Sequence, residues 1–128
     1  MPKNRSVTPV DIYIGLKIRG LRNQQGISQA ELGDKLGVSF QQVQKYEKGV
    51  NRVSGSRLHQ IADLFQVAIA DLCPTANGKV SKKPPKLTNV DLIVSTIDGS
   101  KLVNSFVTIR DENLRAAVVD LARRFEGL

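Results

Sequence analysis

Between Ser28 and Gly49 the chain carries two helix starts and two helix stops, and few folds accommodate that density of signals. Ser28 has the side-chain acceptor of an N-cap, and Glu31 three residues later can reach back to the cap's own amide, which predicts a helix from about Gln29. Leu32 and Leu36 share one face of it, and Gly37 supplies a residue that takes positive φ without steric cost. Ser39 and Gln42 repeat the cap, Val43 and Tyr46 give the second helix a narrow apolar stripe, and Gly49 stops it. The spacing is more specific than a helical hairpin requires. Gly33 stands where the two helices must cross closely, Gly37 at the turn, and Val43 where a β-branched side chain can plug the second helix into the first. A helix-turn-helix is the expectation.

The second helix also has an outward face. Gln41, Gln44, Lys45 and Lys48 recur at i, i+3, i+4 and i+7, so one side presents two amides and two ammoniums with no carboxylate among them. Glutamine can pair with adenine N6 and N7, lysine can donate to guanine O6 and N7, and Phe40 at the helix start can touch a thymine methyl. Such a face suits nucleic acid.

On these residues, Ile14 to Leu72 resembles a helix-turn-helix domain of the Cro/CI type, also called the xenobiotic-response-element family. It is similar in particular to small bacterial transcription regulators that carry the run QQVQKYEKGVNRVS, residues 41–54 here. The resemblance implies a lambda-repressor-like fold with Phe40, Gln41, Gln44 and Lys45 in the major groove, and with Gln29 and the amides of its helix start holding a phosphate. It also implies a partly buried ion pair between Arg22 and Glu47. Phe40 stands where relatives often carry a polar base reader.

Length and composition are consistent with this. The chain has 128 residues and 41% hydrophobic content, which suits a globular fold made of one small domain with an appendage or of two small units. No apolar run approaches the roughly 20 residues of a membrane span, and Met1 to Thr8 lacks the apolar region of a signal peptide. A bacterial cytoplasmic, nucleoid-associated protein is expected. One cysteine, Cys73, and one histidine, His59, give neither an internal disulfide nor a His/Cys metal constellation, and no cofactor or metal is expected. Residues 1–73 hold ten Lys/Arg against six Asp/Glu, residues 74–90 four against none, and residues 91–128 five against six. The basic excess therefore lies with the helix-turn-helix and the segment after it, where it favours a polyanion without choosing a sequence.

Met1 to Ser6 reads as a short polar arm. Thr8 can cap a first helix with Pro9 at its first position and Asp11 at the third, running to about Gln25 with Ile14, Ile18 and Leu21 facing the core. Gly15 inside it suggests close packing, and Arg19 is either solvated or a phosphate contact. After Gly49 a loop leaves the second helix of the motif, so Asn51 and Arg52, with Lys48, are candidates for phosphate contacts, which position rather than specify. Ser54 or Ser56 caps the next helix, whose stripe is Leu58, Ile61, Ala62 and Phe65; Val67, Ile69 and Leu72 close the core through a last short helix. His59 reads as a surface side chain and Cys73 as a small buried apolar one. Pro74 to Asn89, with three prolines, an Asn-Gly pair and no acidic residue, reads as a linker whose Lys79, Lys82, Lys83 and Lys86 either contact phosphates or are simply solvated.

The last segment returns to helical spacing. A helix is expected from about Thr96 to Val107, with Leu102, Phe106 and Ile109 on one face, and another after Asp111, where Leu114, Val118, Leu121 and Phe125 form a short seam. Two such helices cannot bury their stripes on each other alone. They must dock on the N-terminal unit or pair with a second copy, and pairing is favoured because one helix-turn-helix binds weakly while a twofold dimer reads two half-sites. The expected fold is all-α: a five-helix DNA-binding domain over residues 8–73, a basic linker over 74–90 and a helical dimerisation segment over 91–128. The expected function is a homodimeric, sequence-specific regulator of transcription on double-stranded DNA, a repressor, with no small-molecule ligand. The alternative is an adaptor in which the same domain serves protein docking, as in bridging coactivators or antitoxins. An enzyme is disfavoured: no paired carboxylates, nucleophile with base, or phosphate-cradling loop occurs at a usable spacing.

Overall fold

In the computed structural model, which describes residues 7–76, 79, 80, 83 and 85–128, the helices begin where a side-chain oxygen can take up a free backbone N–H. Thr8 caps α1 (Pro9–Gln24): its hydroxyl accepts from the Asp11 amide at 3.2 Å while the Asp11 carboxylate accepts from the Thr8 amide, with proline at the first helical position. Ser28, Ser39 and Ser54 likewise accept the third amide of α2 (Gln29–Leu36), α3 (Phe40–Lys48) and α4 (Gly55–Phe65). Gly37 and Gly49 end α2 and α3 at φ of 75° and 74°, a region other L-residues enter only with strain. A 3₁₀ turn, Ile69–Asp71, completes this N-terminal unit. The polar arm expected at Met1 to Ser6 lies outside the described residues.

One cluster holds the unit together. Ile14 and Ile18 from α1, Leu32 and Leu36 from α2, Val43 and Tyr46 from α3, and Leu58, Ile61, Ala62 and Phe65 from α4 are buried with Val53, Leu72 and Cys73, while Leu21, Val67 and Ile69 lie partly buried against them. Each aliphatic or aromatic side chain withdrawn from water contributes roughly 1.5–3 kcal/mol. Two crossings bring backbone against backbone. A Cβ on Gly15 would lie 2.4 Å from the Tyr46 carbonyl oxygen, where α1 meets α3, and one on Gly33 would lie 2.7 Å from the Val38 carbonyl oxygen, where the turn folds back on α2. Both glycines are there because nothing larger fits.

After Cys73 the chain makes a two-residue antiparallel pair, β1 (Thr75–Ala76) with β2 (Lys79–Val80), Thr75 opposite Val80 and Ala76 opposite Lys79. The linker reading did not anticipate this pairing, although Asn-Gly is the dipeptide that short hairpin connections favour; Asn77, Gly78 and Lys82 themselves lie outside the described residues. Lys83 and Lys86 are exposed.

The expected C-terminal pair is α6 (Ile97–Thr108), capped by Thr96, and α7 (Glu112–Arg124), capped by Asp111. A short helix precedes them. α5 (Asn89–Val94) starts from a closed capping box of Thr88 and Asp91, and at six residues it is too brief for a helical period to be read. Ser100 is buried and donates to the Val94 carbonyl at 2.8 Å, and any Cβ on Gly99 would fall inside the Ile93 carbonyl, so α5 and α6 are fused into one corner. That corner packs on α1. α7 buries no residue of its own and is tied to α6 through Arg115, which donates to the Ile109 carbonyl and lies 5.4 Å from the Phe106 ring centre. Of the two possibilities open from the sequence, docking on the same chain thus describes α5 and α6.

Candidate nucleic-acid interface

α3 is fixed from behind by a buried carboxylate. Glu47 is 2% exposed, and an ionised carboxyl so placed is tolerated only when paired and hydrogen-bonded. Arg22 grips it with two prongs, Nε to Oε2 at 2.6 Å and Nη2 to Oε1 at 3.0 Å, and its Nη1 donates to the Ile27 carbonyl at 2.9 Å. The implied Arg22–Glu47 pair is therefore present. Arg19, expected to be solvated or at a phosphate, instead brings Nε to 3.3 Å from Glu47 Oε1; at half-buried depth a second guanidinium is drawn to the carboxylate. Gln29 completes the set, Nε2 donating to Oε1 at 3.0 Å. α1, α3 and the start of α2 meet at this one group.

The opposite side of α3 faces solvent. Val43, Tyr46 and Glu47 point inward, while Gln41, Lys45 and Lys48 are exposed, Gln44 is half-buried, and Phe40 is 44% exposed at the helix start. All four candidate base readers thus lie on or beside the accessible face of α3, to which the helix itself adds no exposed carboxylate. Gly49 sets how the chain leaves it. The Val50 and Asn51 amides both return to the Lys45 carbonyl, at 3.1 and 3.4 Å, which carries half-buried Asn51 and exposed Arg52 past the end of α3. Gln29 uses one amide N–H on Glu47, and its second remains for a group at the α2 start, where the helix dipole also favours an anion.

The candidate pairing residues gather on α7. Leu114, Leu121 and Phe125 are 59%, 56% and 62% exposed, and half-buried Val118 turns into a groove of about 340 Å³ between α5, α6 and α7, lined also by Ile93, Leu102, Phe106, Val107 and Val119. His59 is exposed and Cys73 is buried, as read from the sequence; burial pushes the Cys73 thiol above its ordinary value. Among the described residues no group of three or more His, Cys, Asp or Glu could hold a metal, and no helix is long and apolar enough to cross a membrane.

Sequence reasoning missed the seam between α1 and the α5–α6 corner. Lys17 Nζ lies 2.9 Å from Asp91 Oδ1, Asn23 Nδ2 donates to the Ser95 carbonyl at 3.1 Å, and Asn104 Nδ2 donates to the Gln24 carbonyl at 3.3 Å. Burial alone would raise the Asp91 carboxyl. The Thr88 amide and hydroxyl and the Lys17 ammonium outweigh it and hold the group below its usual range. Nothing local marks a contact across more than seventy residues, but the Thr88-x-x-Asp91 spacing could have revealed α5.

A helix-turn-helix family model matches residues 18–72. Over 122 residues the chain is 38% identical to an HTH-type transcriptional regulator of Sinorhizobium medicae and to one of Rhizobium meliloti, in each case 90% of this chain and 87% of the other. An HTH-type transcriptional regulator of Rickettsia prowazekii is 44% identical over 61 residues, 48% of this chain and 47% of that protein. No solved structure gives a significant match.

Proposed function

The chain belongs to the Cro/CI-type helix-turn-helix family of DNA-binding transcriptional regulators, and on that premise we propose that it is a homodimeric, sequence-specific repressor reading the major groove of duplex DNA with α3. The observation that carries the proposal is the division of α3 into a back anchored by Val43, Tyr46 and Glu47 and a solvent face of amides and ammoniums. In this reading Gln41 and Gln44 pair with adenines, Lys45 donates to guanine and Phe40 packs on a thymine methyl. Gln29, Lys48, Asn51 and Arg52 take phosphates on either side, which sets register. The exposed seam of Leu114, Val118, Leu121 and Phe125 pairs two copies, so that two half-sites are read about one helical turn apart. Repression is the simplest output, because a protein seated in the groove excludes others from the same base pairs. Such a protein works in the cytoplasm, on the nucleoid, with no cofactor.

Selection of sites from random duplex DNA by the full chain tests this reading, with a palindrome as the expected product. A second reading, an adaptor acting by protein docking, is favoured by one feature: Phe40 and Val50, 44% and 48% exposed, place two apolar side chains at the two ends of the polar face. Recovery of no enriched sequence by a folded, dimeric chain would favour the adaptor.

A further inference from the structure

The carboxylate behind α3 has more positive charge around it than it can cancel. Arg22 alone balances Glu47 and reaches both of its oxygens, Nε on Oε2 at 2.6 Å and Nη2 on Oε1 at 3.0 Å. Gln29 Nε2 and Arg19 Nε come to the same Oε1 at 3.0 and 3.3 Å, so one oxygen accepts from three donors and Arg19 holds the longest of the three bonds. Two guanidiniums against one carboxylate leave one positive charge over, and among the described residues neither arginine pairs with a second carboxylate. The surplus lies on the solvent side. The Arg19 side chain is 32% exposed, against 10% for Arg22 and 0% for Glu47.

Arg19 supplies nothing that Glu47 lacks, and it brings a like charge beside Arg22, three residues along the same helix, which is unfavourable until an anion offsets it. Its chemistry is also half used. A guanidinium carries five N–H donors in a fixed fork; Arg19 commits Nε and keeps its two Nη groups, the pair that meets two oxygens of one phosphate. Gln29 is in the same condition, with one amide N–H on Oε1 and one remaining. Because both nitrogens lie against a single oxygen, they are no more than about 6 Å apart, close enough for one phosphate group to receive from both residues. We propose that Arg19 is a DNA-contacting residue, which keeps Nε on Glu47 and donates its Nη pair to the backbone phosphate that Gln29 also holds. The proposal rests on the reading above in which Gln29 faces a phosphate. Its consequence is mechanical. The carboxylate that anchors α3 from behind is joined to the sugar-phosphate backbone through one side chain, so the phosphate sets how deep α3 enters the groove. Glu47 is then a positioning residue for Arg19 and does not itself touch DNA.

The test uses the full chain and a duplex of mixed sequence, with affinity measured across a salt series and urea unfolding measured on every variant. R19Q is the informative change, because glutamine Nε2 stands where arginine Nε stood: the bond to Glu47 is kept while the charge and the Nη fork are lost. It should fold as the unaltered chain does, lower the salt slope by about 0.9 per bound chain, and weaken binding roughly eightfold near 0.1 M salt. R19K, a point charge without the fork, should restore the slope and only part of the affinity. K101A removes a charge from an exposed position on α6 and should leave the slope unchanged. An unchanged slope in R19Q overturns the proposal and makes Arg19 a support for Glu47 alone. An equal drop in K101A overturns it too, by making the loss one of overall charge. Failure of the unaltered chain to hold any duplex is a different result, which removes the reading of α3 and this proposal with it. Arg22 and Gln29 still satisfy Glu47 in these variants; should R19Q nevertheless unfold, R19A carries the slope test.

Discussion

Glu47 is met by two guanidiniums and an amide while almost no water reaches it, and that environment determines what its replacement does. Glu47→Gln keeps the shape but leaves Arg22 as a buried charge without its counter-ion, so unfolding by urea should show a loss of about 3 kcal/mol. Glycines give a second residue-scale contrast. Gly15→Ala gains helix propensity worth up to about 1 kcal/mol, yet its Cβ meets the Tyr46 and Glu47 carbonyls and should cost a net 1–3 kcal/mol, roughly the range of core overpacking. Gly55→Ala, with open space around the added carbon, should instead stabilise by roughly 0.4–1 kcal/mol. Thermal denaturation of the pair reads the two signs. Gly15 was legible as a close-packing position because a helix interior rarely retains glycine without cause. The Arg22 partner came through the resemblance, whereas Arg19 did not come at all, since two arginines three apart on one helix look alike until the carboxylate's depth is known.

At the scale of the element, the proposed reading has α3 separate specificity from affinity. Alanine at Gln41 or Lys45 should reduce binding to the selected site by roughly 1–3 kcal/mol and relax base preference there, whereas Arg52→Ala should weaken every duplex alike and lower the salt slope by about one. Equal loss on unrelated DNA from Gln41→Ala would remove it from the base readers. The starts and stops of α1 to α4 could be read residue by residue because each carries its own punctuation: a hydroxyl three residues before the amide it accepts, and glycines where φ is positive. α5 carries the same punctuation at Thr88 and Asp91, but it followed a lysine- and proline-rich stretch whose composition dominated the reading. The surface of α3 was legible for a simpler reason: nine residues make too few turns for the polar and buried sets to mix.

For the whole molecule, the exposed seam on α7 and the docked corner on α1 respond to different perturbations. Leu121→Asp alters a side chain more than half exposed in the single copy, so the fold should survive while sedimentation mass falls to that of one chain; unchanged mass would reject the pairing assignment. Asp91 gives the docked corner a pH dependence. Its carboxyl, usually near 3.8, is lowered in the folded chain, so its contribution is complete above about pH 4 and is lost as pH falls through the lowered value. Amide NMR shifts of α5 should therefore move in acid, and Asp91→Asn should abolish that movement. Contacts between α1 and α5 were not legible, because only the folded chain brings Lys17 to Asp91.

The bare apolar side of α7 also bears on dosage. With pairing through that surface, the form competent to hold an operator arises from two collisions rather than one, so at low abundance its amount grows as the square of chain concentration. Halving synthesis would then empty the operator by nearly a factor of four, and a gene under this control would respond to the protein's supply as a threshold.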